Sequence, residues 1–308
     1  MTATGDRPEV LRLGTRASTL ARTQTATVAA ALEEAGMSAE LVPMTSEGDH
    51  TRASLASLGG TGVFAARLRQ ALLAGQCDAV VHSLKDLPAT DHPGLRIAAT
   101  PSRGDARDVL CARDGLTVDT LPDGATVGTG SPRRAAQLRA HRPDLQIRDI
   151  RGNVETRLRY VTSGEMDAVV LAGAGLQRVG RTEAISQYLP LADWPAAPGQ
   201  GILAVEVREE DAELTAQLAA VHDASAWACA QAERGVLARL EAGCAAPVAA
   251  YAEVAGDQVQ LHAVAYHPHK ADDLHARGSS TLAEAARLGA RMAEELLAGG
   301  AGEWIPTR

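Results

Sequence analysis

Lysine occurs only twice among the thirty basic residues of this chain, and one of the two, Lys85, stands beside Asp86 in "HSLKDLP", residues 82–88. An apolar run, "DAVV" from Asp78, leads into that pair, and Pro88 stops it. In open α/β sheets ligands bind beyond the carboxyl ends of strands, so the pair lies where chemistry can be done. Lys85 can meet an anion as a point charge, and Asp86 can stabilise a developing cation or carry a proton. A local Lys–Asp surface pair is the plain alternative. His82 reads as a structural hydrogen-bonding residue. Arginines gather elsewhere: Arg16 in "LGTRAS", Arg133 and Arg134 in "GTGSPRR", then Arg148, Arg151, Arg157 and Arg159 in "RDIRGNVETRLRY". Guanidinium forks near helix N-termini suit a ligand carrying several carboxylates. Arg139, Arg142 and Arg159 read instead as a solvated helix face. Ser18 and Ser131 follow two Gly-Thr turns and suit N-caps or anion contacts, and Pro132 suits the first helical position. Cys244, in "RLEAGCAAPV", is a thiol among small residues where a core thiol would have large apolar neighbours.

The elements that must hold these residues repeat. "GQCDAVV" (75–81) and "GEMDAVV" (164–170) each follow a helix-like stretch and open a short apolar strand. Upstream of each, "LRLGTRASTLARTQ" and "ATVGTGSPRRAAQL" share a strand, a Gly-Thr turn, a serine and a helix. Two related α/β halves follow. The expected division is 1–101 with 202–221, then 106–198, with the first crossover near 100–107. "ILAVEV" is a strand that can return to the first half. From 224 the pattern is helix, two strands joined at a Gly-Asp turn, and an amphipathic helix, a small α+β unit over 224–308. Its first helix is expected to end at Gly243. "SLGGTGVF" (57–64) lacks the Gly-Lys-Ser/Thr of a phosphate loop and reads as a lid beside the cleft.

Composition narrows the partners. A net charge of −8 and 3% aromatic residues argue against nucleic acid. No apolar run reaches membrane-spanning length, and the start lacks a secretory pattern, so a soluble cytoplasmic protein is expected. Cys77, Cys111, Cys229 and Cys244 show neither Cys-x-x-Cys nor zinc spacing, so free thiols and no metal are expected. Cys77 and Cys111 lie in apolar segments and read as buried.

"HSLKDLP", "VGTGSPRRAAQL", "RGNVETRL", "LAGAGLQRV", "PGQG" and "RLEAGCAAPV" stand in the order and near the spacing of the porphobilinogen deaminase family. The resemblance spans nearly the whole chain. It implies two periplasmic-binding-protein-like α/β lobes with a cleft between them and a small C-terminal α+β domain. It implies a dipyrromethane cofactor joined to Cys244 by a thioether, and stepwise condensation of four porphobilinogen molecules into hydroxymethylbilane with release of ammonia. Asp86 resembles the catalytic carboxylate. Lys85, Ser83, Thr129, Ser131, Arg133 and Arg134 resemble cofactor-holding residues. Arg16, Ser18, Gln24, Arg151, Arg157, Arg178 and Gln200 resemble those nearer the substrate. A monomer is implied, working in haem biosynthesis and passing its product to the next tetrapyrrole enzyme. Thr61 departs from the lysine common in the Gly-rich loop, and Gly130 and Pro132 depart in the second turn. A bilobal binding protein for an organic anion would share the repeat and the Gly-Thr turns, but it has no use for Asp86 beside Lys85 or for Cys244.

Overall fold

The computed structural model describes residues 10–44, 63–243, 246–267 and 273–305. The chain begins with β1 (Val10–Arg16), α1 (Thr19–Glu34), β2 (Ser38–Met44), α2 (Val63–Leu73), β3 (Ala79–Ser83) and β4 (Leu95–Ala99). It continues through β5 (Asp108–Ala112), β6 (Thr126–Gly128), α3 (Pro132–His141), β7 (Gln146–Arg148), α4 (Val154–Thr162), β8 (Ala168–Ala172), α5 (Gly173–Arg178) and β9 (Gln187–Tyr188). The last part is β10 (Leu203–Arg208), α6 (Ala212–Leu218), α7 (Ala224–Arg239), β11 (Val248–Ala255), β12 (Gln258–Ala265), β13 (Leu274–Thr281) and α8 (Ala285–Ala298).

Two five-stranded sheets have one topology. The first runs β2-β1-β3-β10-β4 and the second β7-β6-β8-β5-β9. In each, three parallel strands meet one antiparallel strand that crosses over from the other sheet: β10 beside β3, and β5 beside β8. The repeated heptapeptide has a physical cause. Gly75 and Gly164 leave a helix at φ 69° and 76°, the left-handed turn that glycine adopts at least cost. Three residues on, the aspartate accepts the backbone N–H of the neighbouring strand: Arg12 N to Asp78 Oδ2 at 2.9 Å, and Thr126 N to Asp167 Oδ2 at 2.8 Å. The Ala-Val-Val that follows is buried in both sheets. The Gly-Thr pairs match as well, with Gly14 opposite Val80 and Gly128 opposite Val169. A Cβ on Gly14 would lie 2.8 Å from Val80, and one on Gly128 would lie 2.5 Å from Met166, so neither position admits a side chain without displacement.

The C-terminal unit is an antiparallel sheet, β11-β12-β13, packed against α7 and α8. β13 lay unrecognised in "LHARGSST", where polar residues hide the alternation. Gly235 and Gly289 let the two helices meet; a Cβ on Gly289 would stand 2.1 Å from Ala232 O. α7 stops at Arg239, not Gly243. Ala242 N bonds Leu237 O and Glu241 N bonds Ala238 O, a Schellman closure with Glu241 in the left-handed position at φ 51°. Buried Glu233 docks the unit onto the crossovers, accepting from Arg103 Nη1 at 2.6 Å, Gly199 N at 2.7 Å and Ala252 N at 2.7 Å.

Beneath β3, Arg69 clamps Glu206 through Nε and Nη2 at 2.9 and 2.8 Å, and His82 Nε2 lies 3.3 Å from the same carboxylate. Burial pushes the Glu206 carboxyl up, but His82 and Arg69 more than offset this and hold it at about 2, below the usual 4.5. Its contribution is therefore complete above pH 4.5 and is lost as pH falls towards 2. Glu206→Gln, which leaves a buried guanidinium unpaired, should cost about 3–5 kcal/mol in urea unfolding at neutral pH. The gap between parent and variant should narrow between pH 4.5 and 2; a constant gap would show that Glu206 contributes no charge.

Candidate active site

The carboxyl end of β3 breaks into a single turn, Leu84–Asp86. Leu84 is buried and anchors it, which leaves Lys85 half-buried and Asp86 exposed. A pocket beside this turn is lined by Arg16 from the end of β1, Gln24 from α1, and Ser83 and Asp86. Gln24 Nε2 donates to Ser83 Oγ at 2.7 Å, fixing the serine at the pocket wall. Ser18 caps α1, accepting Ala21 N at 3.3 Å.

The second half presents its own strand ends. Thr129 Oγ1 accepts Ser131 N at 3.3 Å, and Ser131 caps α3 by accepting Arg134 N at 3.4 Å. Gly130 is required there, because a Cβ would stand 2.6 Å from Ile150 O. Arg151 pairs with Asp149 at 3.0 Å, and its Nε is buried without a hydrogen-bond partner. Arg157, half-buried on α4, donates Nε to Gly152 O at 2.9 Å. Burial, then the charges of Arg134 and Arg151, push its guanidinium down to about 10, with Asp86 opposing. Burial and Arg134 likewise push the Lys85 ammonium down to about 8, against Asp86 and Asp108. Residues from both halves thus face one another, with Asp86 among them.

Arg133 and Arg134 are placed differently from the expectation of open forks. Both turn inward onto Asp108, a carboxylate with no exposure at the start of β5. Arg133 Nη1 reaches Asp108 Oδ2 at 2.7 Å, Gln137 Oε1 at 2.6 Å and Pro195 O at 3.1 Å. Arg134 reaches Asp108 Oδ1 through Nε and Nη2 at 2.9 and 2.7 Å, and Val170 O through Nη1. Sequence reading missed Asp108, because an aspartate that starts an apolar strand carries no distinguishing pattern. Gln200 joins the group: its Oε1 accepts Lys85 Nζ at 3.3 Å and Arg134 Nη2 at 3.2 Å. Arg178 stands apart and donates to Gly201 O at 2.9 Å. Arg142 is not a solvated residue; it donates to Val118 O and Leu121 O and pairs with Asp144. Cys244 and Thr61 lie outside the described residues.

The family model described as "Porphobilinogen deaminase, dipyromethane cofactor binding domain" matches residues 11–216, and "Porphobilinogen deaminase, C-terminal domain" matches 227–298. The chain is 54% identical to the porphobilinogen deaminase of Leifsonia xyli subsp. xyli, covering 98% of this chain and 96% of that one. The chain belongs to the porphobilinogen deaminase family. The same-named protein of Thermobifida fusca is 51% identical over 96% of this chain and 95% of that one. Among solved structures, the methionine-binding protein MetQ matches with a TM-score of 0.46 at 13% identity, over 70% of this chain and 90% of that one. A periplasmic substrate-binding protein from Coxiella burnetii matches at 0.44 and 16%, over 73% and 97%. Porphobilinogen deaminases are transferases, the hydroxymethylbilane synthases, and their first domain binds dipyrromethane.

The residues present fit that cofactor. Lys85, Arg133, Arg134, Arg151 and Arg157 gather around Asp86, Asp108 and Asp149. Burial, and after it the charge of Arg134, depresses both Lys85 and Arg157, and acidic side chains of a ligand would oppose that depression. The unsatisfied Nε of Arg151 is a further donor. Among the described residues no cluster suited to a metal occurs.

Proposed function

We propose that this chain condenses porphobilinogen into hydroxymethylbilane in the cleft between its two halves, with Asp86 as the catalytic carboxylate. The observation that carries this is an exposed aspartate at a strand end facing a surplus of cations drawn from both halves. Each coupling releases ammonia, makes one carbon–carbon bond and removes a proton from the attacked ring carbon. Bound dipyrromethane supplies the nucleophilic pyrrole carbon. Asp86 accepts pyrrole N–H groups and balances the positive charge left when ammonia departs. Lys85, held by Gln200, meets a carboxylate as a point charge. Arg16, Arg151 and Arg157 bind the acids of the incoming ring, and Gln24 orients Ser83 towards it. Ser18 and Ser131 present helix N-termini to those acids. Thr129 and Arg178 shape the walls. Arg133 acts from behind Asp108.

The division into 1–101 with 202–221, 106–198 and 224–308 is part of this reading, supported by the three sheets. So are attachment at Cys244, a monomeric state, a cytoplasmic location and delivery of the product to the next enzyme of the pathway. Among the described residues no helix is long and apolar enough to cross a membrane.

Intact mass of the purified protein tests the reading. An increment equal to a dipyrromethane, a positive colour with Ehrlich's reagent, and turnover of porphobilinogen are expected. An active protein of unmodified mass would overturn the cofactor assignment.

A further inference from the structure

We propose that Asp108 is a positioning residue for the site, holding Gln200 and Arg134 so that Gln200 presents its oxygen to Lys85. The inference rests on the reading of Lys85 as a contact for acidic groups. Asp108 itself has no room for a ligand. Its Oδ1 accepts Arg134 Nε, Arg134 Nη2 and Gln200 Nε2, the last at 2.8 Å, and its Oδ2 accepts Arg133 Nη1 and Trp194 Nε1 at 3.1 Å. All its acceptor capacity is spent on protein donors. Those donors come from α3 and from the 194–200 segment, while the aspartate begins β5, so one buried carboxylate fixes three separate stretches of chain.

From this hub the order passes outward. Gln200 Nε2 also donates to Ala106 O at 2.7 Å, so its amide cannot rotate, and Oε1 must face Lys85 Nζ at 3.3 Å and Arg134 Nη2 at 3.2 Å. Asp108 also supplies charge. Among the charged groups that bear on Lys85 are Asp86 in its own turn, Asp108 from β5, and Arg133 and Arg134 from α3. Of these, the arginines oppose the ammonium and the two aspartates support it. Burial and repulsion already bring Lys85 to about 8. Removing Asp108 takes away one of the aspartates that oppose those arginines, so Lys85 should deprotonate at a lower pH still.

The chain has only two lysines, Lys85 and Lys270, so reductive methylation with carbon-13 gives two resolvable lysine signals by NMR. The Cys244→Ser full-length protein, which keeps covalent cofactor out of the comparison, is the background. There Asp108→Asn should lower the Lys85 titration midpoint by about one unit, leaving Lys270 unmoved. In the parent with Cys244 intact, Asp108→Asn should reduce the loaded fraction, read by intact mass, by about tenfold or more. Gln200→Glu, which puts a carboxylate at the same relay point, should raise the midpoint. A purely structural aspartate would change the melting temperature and leave the midpoint in place; an unmoved midpoint in Asp108→Asn overturns the proposal. If Asp108→Asn does not fold, Gln200→Glu decides, and an unmoved midpoint there overturns it equally. Failure of the parent to carry a dipyrromethane would instead count against the functional reading, and the Lys85 titration is independent of it.

Discussion

Asp86→Asn should reduce porphobilinogen turnover by about a thousandfold while leaving the unfolding free energy within about 0.5 kcal/mol of the parent. The side chain is exposed, so no core contact is lost. What is lost is the negative charge at the strand end. Asn keeps one acceptor oxygen and nearly the same shape, so pyrrole N–H groups can still be met. It cannot balance a cation. With Lys85, Arg134 and Arg157 close by, a cationic ring left by departing ammonia would then face a surplus of like charge. Expected kinetics are a fall in kcat with little change in KM, because the ground-state substrate is bound mainly through its acids. Near-parental kcat would mean that another group manages the charge, and the choice of Asp86 would be wrong.

Cys244→Ser should remove both the mass increment and measurable turnover. The three described cysteines are poor candidates for attachment. Cys77, Cys111 and Cys229 are 0%, 2% and 5% exposed, and burial pushes their thiols up to about 11, 12 and 11. A thiol buried in that way neither ionises nor reaches a ligand. Cys244 instead follows the closed end of α7 by a few residues, after Gly243 and before the strand β11. Serine has the shape but not the nucleophilicity of a thiolate at neutral pH. Intact mass, Ehrlich colour and turnover should all be lost together, whereas Cys77→Ala, Cys111→Ala and Cys229→Ala should each retain the increment. A Cys244→Ser protein that still carries it would move the anchor to one of the buried thiols.

How far the sequence could be read depended on whether a feature was local. The paired DAVV strands, the Ser18 and Ser131 caps, Pro132 at the first position of α3 and the Gly256–Asp257 turn all rest on interactions within a few residues. β7 and β9 escaped because strands of three and two residues carry almost no period. The end of α7 was misplaced because a glutamate took the left-handed position that glycine usually fills.

By itself the sequence determined the repeated halves, the strand-end Lys85–Asp86 pair, the surplus of arginine and the isolated thiol, since each is written in residue type and short spacing. Only the tertiary structure decided which arginines stay available. Arg133 and Arg134 look alike with Arg157 in sequence, yet a carboxylate 25 and 26 residues upstream in the chain turns the first two inward. Ion pairing in a buried site is fixed by what folding brings within about 3 Å, where Coulomb attraction is strong and water does not screen it, and no local pattern encodes that meeting.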